Sequence, residues 1–586
     1  VKENSNVRLG VLLLGIIVSL LAFMRLVKLD TRMLTDVEAR HALIAAVGTQ
    51  GESVFWDREQ DVGAPSPLYH LTTHLIFQFL RDSDAGARFI PALAGVLLLL
   101  LILFLWRDGT LEQKLIWVIL LGLSPVMLTG ARTAGGDILA AAALFMVFLL
   151  LLQPASSEHS HSNILFTLAI GIALTTGSPF FKALSGIAIS LLIAIPLRRN
   201  LFDQGGFFRQ LKGLNASAWF IPIVAILILS GFGSSLQGLR GIAVALEEWL
   251  QGWAQPSGYS SLELMLLLVT AEPMIVIFGV IGAARLWRHP TSYGRLVALW
   301  AIGAAGFVAI YRGRTPLDLI WIVLPLSYLA IEAIQALMES IGNLRANQEL
   351  IGLVALLAIF VASGALSFIA YSTGNVLTIN PENPNLVFLL FFALGIMALS
   401  VLVFFGIGWS WSLVIQAVGL LVIVMGTSQA LSTIWRLNYN NQDSPVTELW
   451  TLAAPADGLP LMVQTLEHTA LAYSGQRHRL PIDVQGEVPN SLAWALRTFQ
   501  QAEGGTSFGV EATPVIVAPE ISAATSLPAD YIGQNLGVRQ TRAWNSALPP
   551  NLLGWWIRRD VPVEMDQWVL WVRVDIASFG EINLES

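Results

Sequence analysis

The chain has 586 residues, 55% of them hydrophobic and only 12% charged, with a formal net charge of −7. Soluble domains carry roughly 25% charged residues, so the composition points to an integral membrane protein. The acidic balance and the lack of a basic stripe exclude nucleic acid as a partner. Cysteine is absent, which removes disulfides, thiolate metal sites and cysteine nucleophiles together.

Leu9–Leu29 is the first long apolar run. It is too long for the core of a cleavable signal, and no small-residue cleavage site follows, so it reads as a transmembrane helix. The polar stretch 30–87 comes next and holds Asp36, Glu38, Arg40, His41, the aromatic and charged run 55–59, and Pro65-Ser66-Pro67-Leu68-Tyr69-His70. Leu68–Leu80 is apolar but short for a span and diluted by His70, His74 and Gln78, so it is expected to lie at the membrane interface within this loop. Further apolar runs follow, among them Leu115–Ala131, Asn163–Gly177, Phe180–Leu197 and Leu262–Trp287, ending at Trp409–Leu431. The count is thirteen spans. With the N-terminus inside, twelve basic residues fall in inner loops against five in the short outer connections, as the positive-inside rule asks.

An odd number of spans leaves residues 432–586 outside. Strand-like runs at Pro481–Gln485, Pro514–Ala518 and Trp568–Val574, with helical stretches at Asn490–Gln501 and Asn551–Arg559, predict a small α/β domain there. The expected architecture is therefore mainly α: a transmembrane domain over 1–431, with 30–87 as its first external loop, and an extracytoplasmic α/β domain over 432–586. The outer connection 233–261 contains Ile242–Trp253, an amphipathic helix for the membrane surface.

On this topology Asp36, Glu38, Arg132, Asp137, Lys182, Glu272, Arg312 and Arg314 collect at the outer face. Ionisable residues near a bilayer line cavities or ion paths more often than they face lipid. Each also has a plainer reading. Asp36 pairs with Arg40 at i,i+4, Asp137 caps a helix, and Lys182, Arg312 and Arg314 reach lipid phosphates. His70 and His74, four apart, either hold zinc or pack at the interface, and packing is preferred because no Glu lies between them.

The acidic pair after the first span, the Pro-Leu-Tyr turn and Ala87-Arg88-Phe89-Ile90-Pro91-Ala92-Leu93-Ala94-Gly95 resemble the GT-C glycosyltransferases. Leu123-Ser124-Pro125 with Arg132 and Asp137, and Arg312–Pro316 with Leu324-Pro325, look like later segments of that superfamily. Within it the chain is most similar to a subgroup of flippase-associated proteins of archaeal glycosylation. There a Glu-Pro like Glu272-Pro273 and a Trp-x-x-Arg like Trp494 to Arg497 recur. The resemblance implies a glycosyltransferase of the plasma membrane that takes a sugar from a polyprenyl-phosphate donor and passes it, with inversion, to a protein or glycan acceptor. It implies Asp36 or Glu38 as the base, Lys182, Arg312, Arg314 and Arg132 at the donor phosphate, and Asp137 and Glu272 as supporting groups or ligands of a divalent cation (Mg or Mn). His41, Tyr69 and His70 fall on the acceptor side of the loop. The chain departs from the family where Val37 separates the two acids and where an Asp-x-Asp metal pair is missing. The alternative is an inactive GT-C-like scaffold that binds lipid-linked glycans or assembles with partner membrane proteins.

Overall fold

The computed structural model describes residues 2–46, 65–152, 160–195, 220–229, 237–288, 293–342, 348–373, 384–440, 445–505, 512–520 and 527–576. The run 55–59 lies outside the described residues. The helices of the first part are α1 (Lys2–Leu26), α2 (Asp36–Ala46), α3 (Pro67–Leu80), α4 (Asp84–Leu105), α5 (Leu111–Gly122), α6 (Pro125–Ala131) and α7 (Asp137–Leu151). They are followed by α8 (Ser160–Leu174), α9 (Ser178–Ala194), α10 (Phe220–Leu229), α11 (Gln237–Ala254), α12 (Ser261–Ala271) and α13 (Pro273–Arg288). The last of this part are α14 (Gly294–Ile310), α15 (Ile320–Ile341), α16 (Gln348–Thr373), α17 (Pro384–Gly408) and α18 (Trp411–Asn438).

Among the described residues five helices are long and apolar enough to cross a membrane, or up to eight if each of three bent pairs is one span. The pairs are α5/α6, bent by 66°, α8/α9 by 116° and α12/α13 by 96°. Leu115–Ala131 and Leu262–Trp287, read from sequence as single spans, are thus broken. The cause is local: Ser124-Pro125, Gly177-Ser178-Pro179 and Glu272-Pro273 each place a proline at the start of the second helix, where its missing N–H costs nothing.

A helix break frees backbone groups that lipid cannot satisfy, so each break must be plugged by protein. Ser124 caps α6 by accepting from Met127 N at 3.1 Å. Glu272 accepts from Val126 N at 2.9 Å and from the Ser124 hydroxyl, so two breaks plug each other. Arg25, buried in α1, donates to Gly122 O at 3.2 Å and Leu121 O at 3.1 Å, closing the end of α5. Arg132 does the same for α1, donating to Met24 O, Val27 O and Lys28 O at 3.0, 2.7 and 2.6 Å. A cation at a helix C-terminus also meets the negative end of its dipole. The α8/α9 break receives the start of α3: Leu68 N donates to Thr175 O at 2.9 Å and Ser66 Oγ to Thr176 O at 2.7 Å. Gly136 faces this junction, where a Cβ would stand 2.1 Å from Thr176 O.

The chain beyond α18 forms a six-stranded mixed sheet: β1 (Ala453–Pro455), β2 (Pro481–Gln485), β3 (Gln501–Gly505), β4 (Val515–Pro519), β5 (Tyr531–Arg542) and β6 (Val563–Arg573). Its order is β1-β5-β6-β4-β2-β3, with β2 parallel to β3 and β4 and the other pairs antiparallel. Helices α19 (Gly458–Ser474), α20 (Asn490–Leu496) and α21 (Leu552–Arg558) complete it. Leu459, Met462 and Leu466 of α19 and Leu492 and Leu496 of α20 pack with Val484, Val517 and Leu570 of the sheet. Sequence reading did not name α19, β1, β3 or β5.

Helix α20 locks this domain to the first loop. Trp494 is buried with Leu34, Ala39, Leu43, Tyr69 and Phe77, and its indole N–H donates to Asp84 at 2.7 Å. Arg497 lies 3.6 Å over the Trp494 ring and pairs with Asp82 at 3.0 Å. Loss of a buried Trp side chain costs about 3–5 kcal/mol. Trp494→Ala is therefore expected to lower the melting temperature in detergent strongly, while Trp556→Ala, at an exposed ring, leaves it nearly unchanged.

Candidate active site

A cavity of about 700 Å³ lies where the first loop, the Arg132–Asp137 turn, the start of α9, the segment before α15 and the segment 445–457 meet. Asp36, Glu38, His41, Arg132, Asp137 and Lys182 all line it, as do Lys28, Val37, Arg40, Ser66, Thr176 and Glu248. Tyr69, His70, Glu272, Arg312 and Arg314 are not among its lining residues.

The two first-loop acids have different surroundings. Glu38 is buried and doubly bonded to Arg88, Nε to Oε1 at 2.8 Å and Nη2 to Oε2 at 2.9 Å. It also accepts from Thr35 N and Oγ1, both at 3.1 Å, and from Ala134 N at 3.0 Å. Arg88 in turn holds the carbonyls of Leu29 at 2.9 Å, Arg32 at 2.6 Å and Met33 at 3.3 Å. Burial pushes the Glu38 carboxyl up, but the Arg88 charge and these hydrogen bonds outweigh it and hold it below its ordinary value. Asp36 starts α2 and is more open. One oxygen accepts from Ser491 N at 3.0 Å and Ser491 Oγ at 2.7 Å, and the other pairs with Arg539 at 2.8 Å. The pairing expected on sequence, Asp36 with Arg40, does not form. Arg40 instead approaches Glu248 of α11 at 3.4 Å, because tertiary partners displace the weak contact along the helix.

The expected phosphate-binding cations are mostly committed. Arg132 caps α1, as above. Lys182 pairs with Asp318 at 3.0 and 3.1 Å, its ammonium 5.6 Å from the centre of the Tyr311 ring. It donates one hydrogen bond, to Asp318 Oδ2, so N–H capacity is left for a ligand. Arg312 donates weakly to Ala254 O at 3.4 Å, and Arg314 bends back to Tyr311 O at 2.6 Å. Sequence reasoning missed Asp318. A signal was present, since Thr315-x-x-Asp318 before an apolar run is a capping box, and the box forms. It also missed Lys28, a cavity-lining cation with no side-chain partner among the described residues.

Tyr69 is buried and donates to Ala87 O at 2.9 Å. His70 and His74 use their Nδ1 atoms on different carbonyls, Ser66 at 2.7 Å and Ala45 at 3.0 Å, so they serve packing. Glu272 serves the double helix break rather than the cavity.

Among the described residues no three His, Asp or Glu side chains converge on a metal-sized point. Asp137 and Asp318 already share the electrostatic reach of the Lys182 ammonium, a fixed cation of the chain itself.

No protein-family model and no curated protein matches this sequence. Among solved structures the chain is similar to ArnT from Cupriavidus metallidurans bound to undecaprenyl phosphate. The identity is 15%, the TM-score 0.57, and the match covers 97% of this chain and 98% of that one. The same enzyme in the apo state gives a TM-score of 0.51 at 15% identity, covering 98% of this chain and 99% of that one. An oligosaccharyltransferase from Archaeoglobus fulgidus, tethered with an acceptor peptide, gives 0.40 at 12% identity over 87% and 69%. The chain thus shares the fold of ArnT nearly end to end.

The Glu38 pair makes a pH prediction. A carboxyl held below its unfolded value of about 4.3 contributes stability that is present above that value and fades as pH falls through the folded pKa. The stability advantage of the wild type over Glu38→Gln is therefore expected to stay flat from pH 8 to about 5 and to shrink below about 4. Thermal scans in detergent across that range measure it.

Proposed function

We propose that the chain is a GT-C-type glycosyltransferase that moves a sugar from a polyprenyl-phosphate donor to a hydroxyl of a protein or glycan at the outer face of the plasma membrane. The observation that carries this reading is the cavity, which gathers a half-open carboxylate (Asp36) and cations with donor capacity left (Lys182, Lys28) within a fold like that of ArnT. The thirteen-segment, N-inside topology belongs to the proposal, and it puts the cavity and residues 432–586 outside.

In this reading Asp36 takes the proton of the acceptor hydroxyl as its oxygen attacks the anomeric carbon from the face opposite the phosphate. The bond from that carbon to the phosphate oxygen breaks, and polyprenyl phosphate leaves with the electron pair. The remaining N–H capacity of Lys182 and the ammonium of Lys28 stabilise the charge on the leaving phosphate. Glu38 is a positioning residue, since it is buried and its oxygens take five donors where those of Asp36 take three. Base assistance of this kind is worth about 10²–10⁴-fold.

A second reading draws support from the same contacts. Both first-loop acids carry an arginine partner, and Val37, exposed and lining the cavity, stands between them. That suits a scaffold that binds lipid-linked glycans without transferring them. Purified protein incubated with labelled undecaprenyl-phosphate sugars separates the two. Turnover that falls at least about 100-fold in Asp36→Asn, but not in Arg539→Gln, is the expected result for the enzyme. Equal losses in both variants would reduce Asp36 to a tie between domains, and donor binding with no turnover in the wild type would favour the scaffold.

A further inference from the structure

A hydrogen-bond chain runs from α3 through α2 to the cavity wall. His70 Nδ1 lies 2.7 Å from Ser66 O, and a carbonyl only accepts, so Nδ1 carries the proton. Burial, with the charges of His41 and Arg40, pushes His70 well below the ordinary histidine range. It is therefore neutral, and its Nε2 is bare. That Nε2 lies 3.4 Å from His41 Nδ1, and two bare nitrogens cannot bond, so His41 carries its own proton on Nδ1. Burial and the neighbouring Arg40 push His41 down to about 4, leaving it neutral as well. The chain of donors thus ends on His41 Nε2, a bare lone pair on a residue that lines the cavity and with no protein partner among the described residues.

The Asp137 carboxylate stands beside it, also lining the cavity, with its own backbone N–H as hydrogen-bond partner. Gly135 lies between them. The point where its Cβ would stand is 3.6 Å from Asp137 Oδ2 and 3.9 Å from His41 Nε2, so the two acceptors converge on one stretch of the cavity wall. A ligand in the cavity that reaches both acceptors must bring donors. It must also tolerate the nearby Lys182 ammonium, which disfavours a second cation. A neutral polyol meets both conditions, and next to a phosphate-binding cation the polyol is the sugar of a glycosyl phosphate.

We propose that His41 Nε2 and the Asp137 carboxylate bind hydroxyl groups of the sugar carried by the lipid-linked donor, with His70 as the positioning residue that fixes the tautomer of His41. This rests on the reading that the cavity takes a polyprenyl-phosphate sugar. A carboxylate and an imidazole lone pair each accept one hydroxyl proton in a hydrogen bond, and no covalent change is involved. Sites whose polar groups must be paired by substrate hydroxyls reject ligands that lack them.

The test compares the full-length protein in nanodiscs with bare undecaprenyl phosphate and with undecaprenyl-phosphate-linked mannose, glucose and galactose. At least one sugar-bearing lipid is expected to bind more tightly than the bare lipid. His41→Phe and Asp137→Asn are expected to weaken that binding by about tenfold or more and to leave bare undecaprenyl phosphate within about twofold. A merely structural role would weaken both lipids alike, and that result overturns the subsite. In ¹⁵N-histidine spectra, His41 is expected to show protonated Nδ1 and bare Nε2, a pattern lost in His70→Phe. A protonated Nε2 in the wild type also overturns it. Sugar binding that requires Mg²⁺ or Mn²⁺ and loses this requirement in Asp137→Asn would make the pair a metal site instead. If bare and sugar-bearing lipids both fail to bind, the underlying glycosyltransferase reading falls and the subsite with it.

Discussion

The buried pair of Glu38 and Arg88 is the contact on which the outer half of the molecule depends. A charge pair out of water holds only when its remaining lone pairs and protons find partners, and here nearly all do. The carboxylate takes the amides of Thr35 and Ala134, and the guanidinium takes three carbonyls between Leu29 and Met33. One pair thereby fixes the exit from α1, the start of α2, the first turn of α4 and the glycine-rich turn that presents Asp137. Removing either partner leaves an uncompensated buried charge at the junction of all four.

That arrangement separates roles that sequence alone left open between Asp36 and Glu38. The acid saturated with donors builds the loop. The other, at the mouth of the same helix, faces the cavity and is reached by the second domain through Arg539 and Ser491. The domain after α18 is therefore part of the cavity wall, since residues 450–457 line it and α20 anchors in the first-loop cluster. Asp36 sits at the seam, so its orientation depends on how that domain is seated.

Much of this was legible in the chain. Hydrophobic runs marked the helical membrane part, alternating short runs marked β2, β4 and β6, and the motifs around Asp36, Arg88, Ser124 and Arg132 carried the likeness to the fold of ArnT. Partners were harder to read. Arg88 lies 50 positions from Glu38, Arg539 lies 503 from Asp36, and Glu272 lies 148 from Ser124, and no local period links such pairs. The breaks were half legible: Ser-Pro and Glu-Pro announce a helix start, but apolar composition on both sides hid the change of direction. Arg132 and Glu272 looked like ligand-binding groups because a buried charge in a membrane protein suggests function. In the structure Arg132 holds the end of α1 while lining the cavity, and Glu272 holds the start of α6.

The capping of α1 by Arg132 also constrains the order of assembly. The carbonyls that end the first helix wait for a side chain 105 positions further along, and Arg25 within that helix waits for the end of α5, 97 positions away. During synthesis α1 is thus made with its guanidinium bonded only within its own helix, to Leu21 O, and with open carbonyls at its end. Neither is satisfied until the α5/α6 break has been made. Helix α1 consequently reaches its final surroundings only after the chain as far as Arg132 has been made.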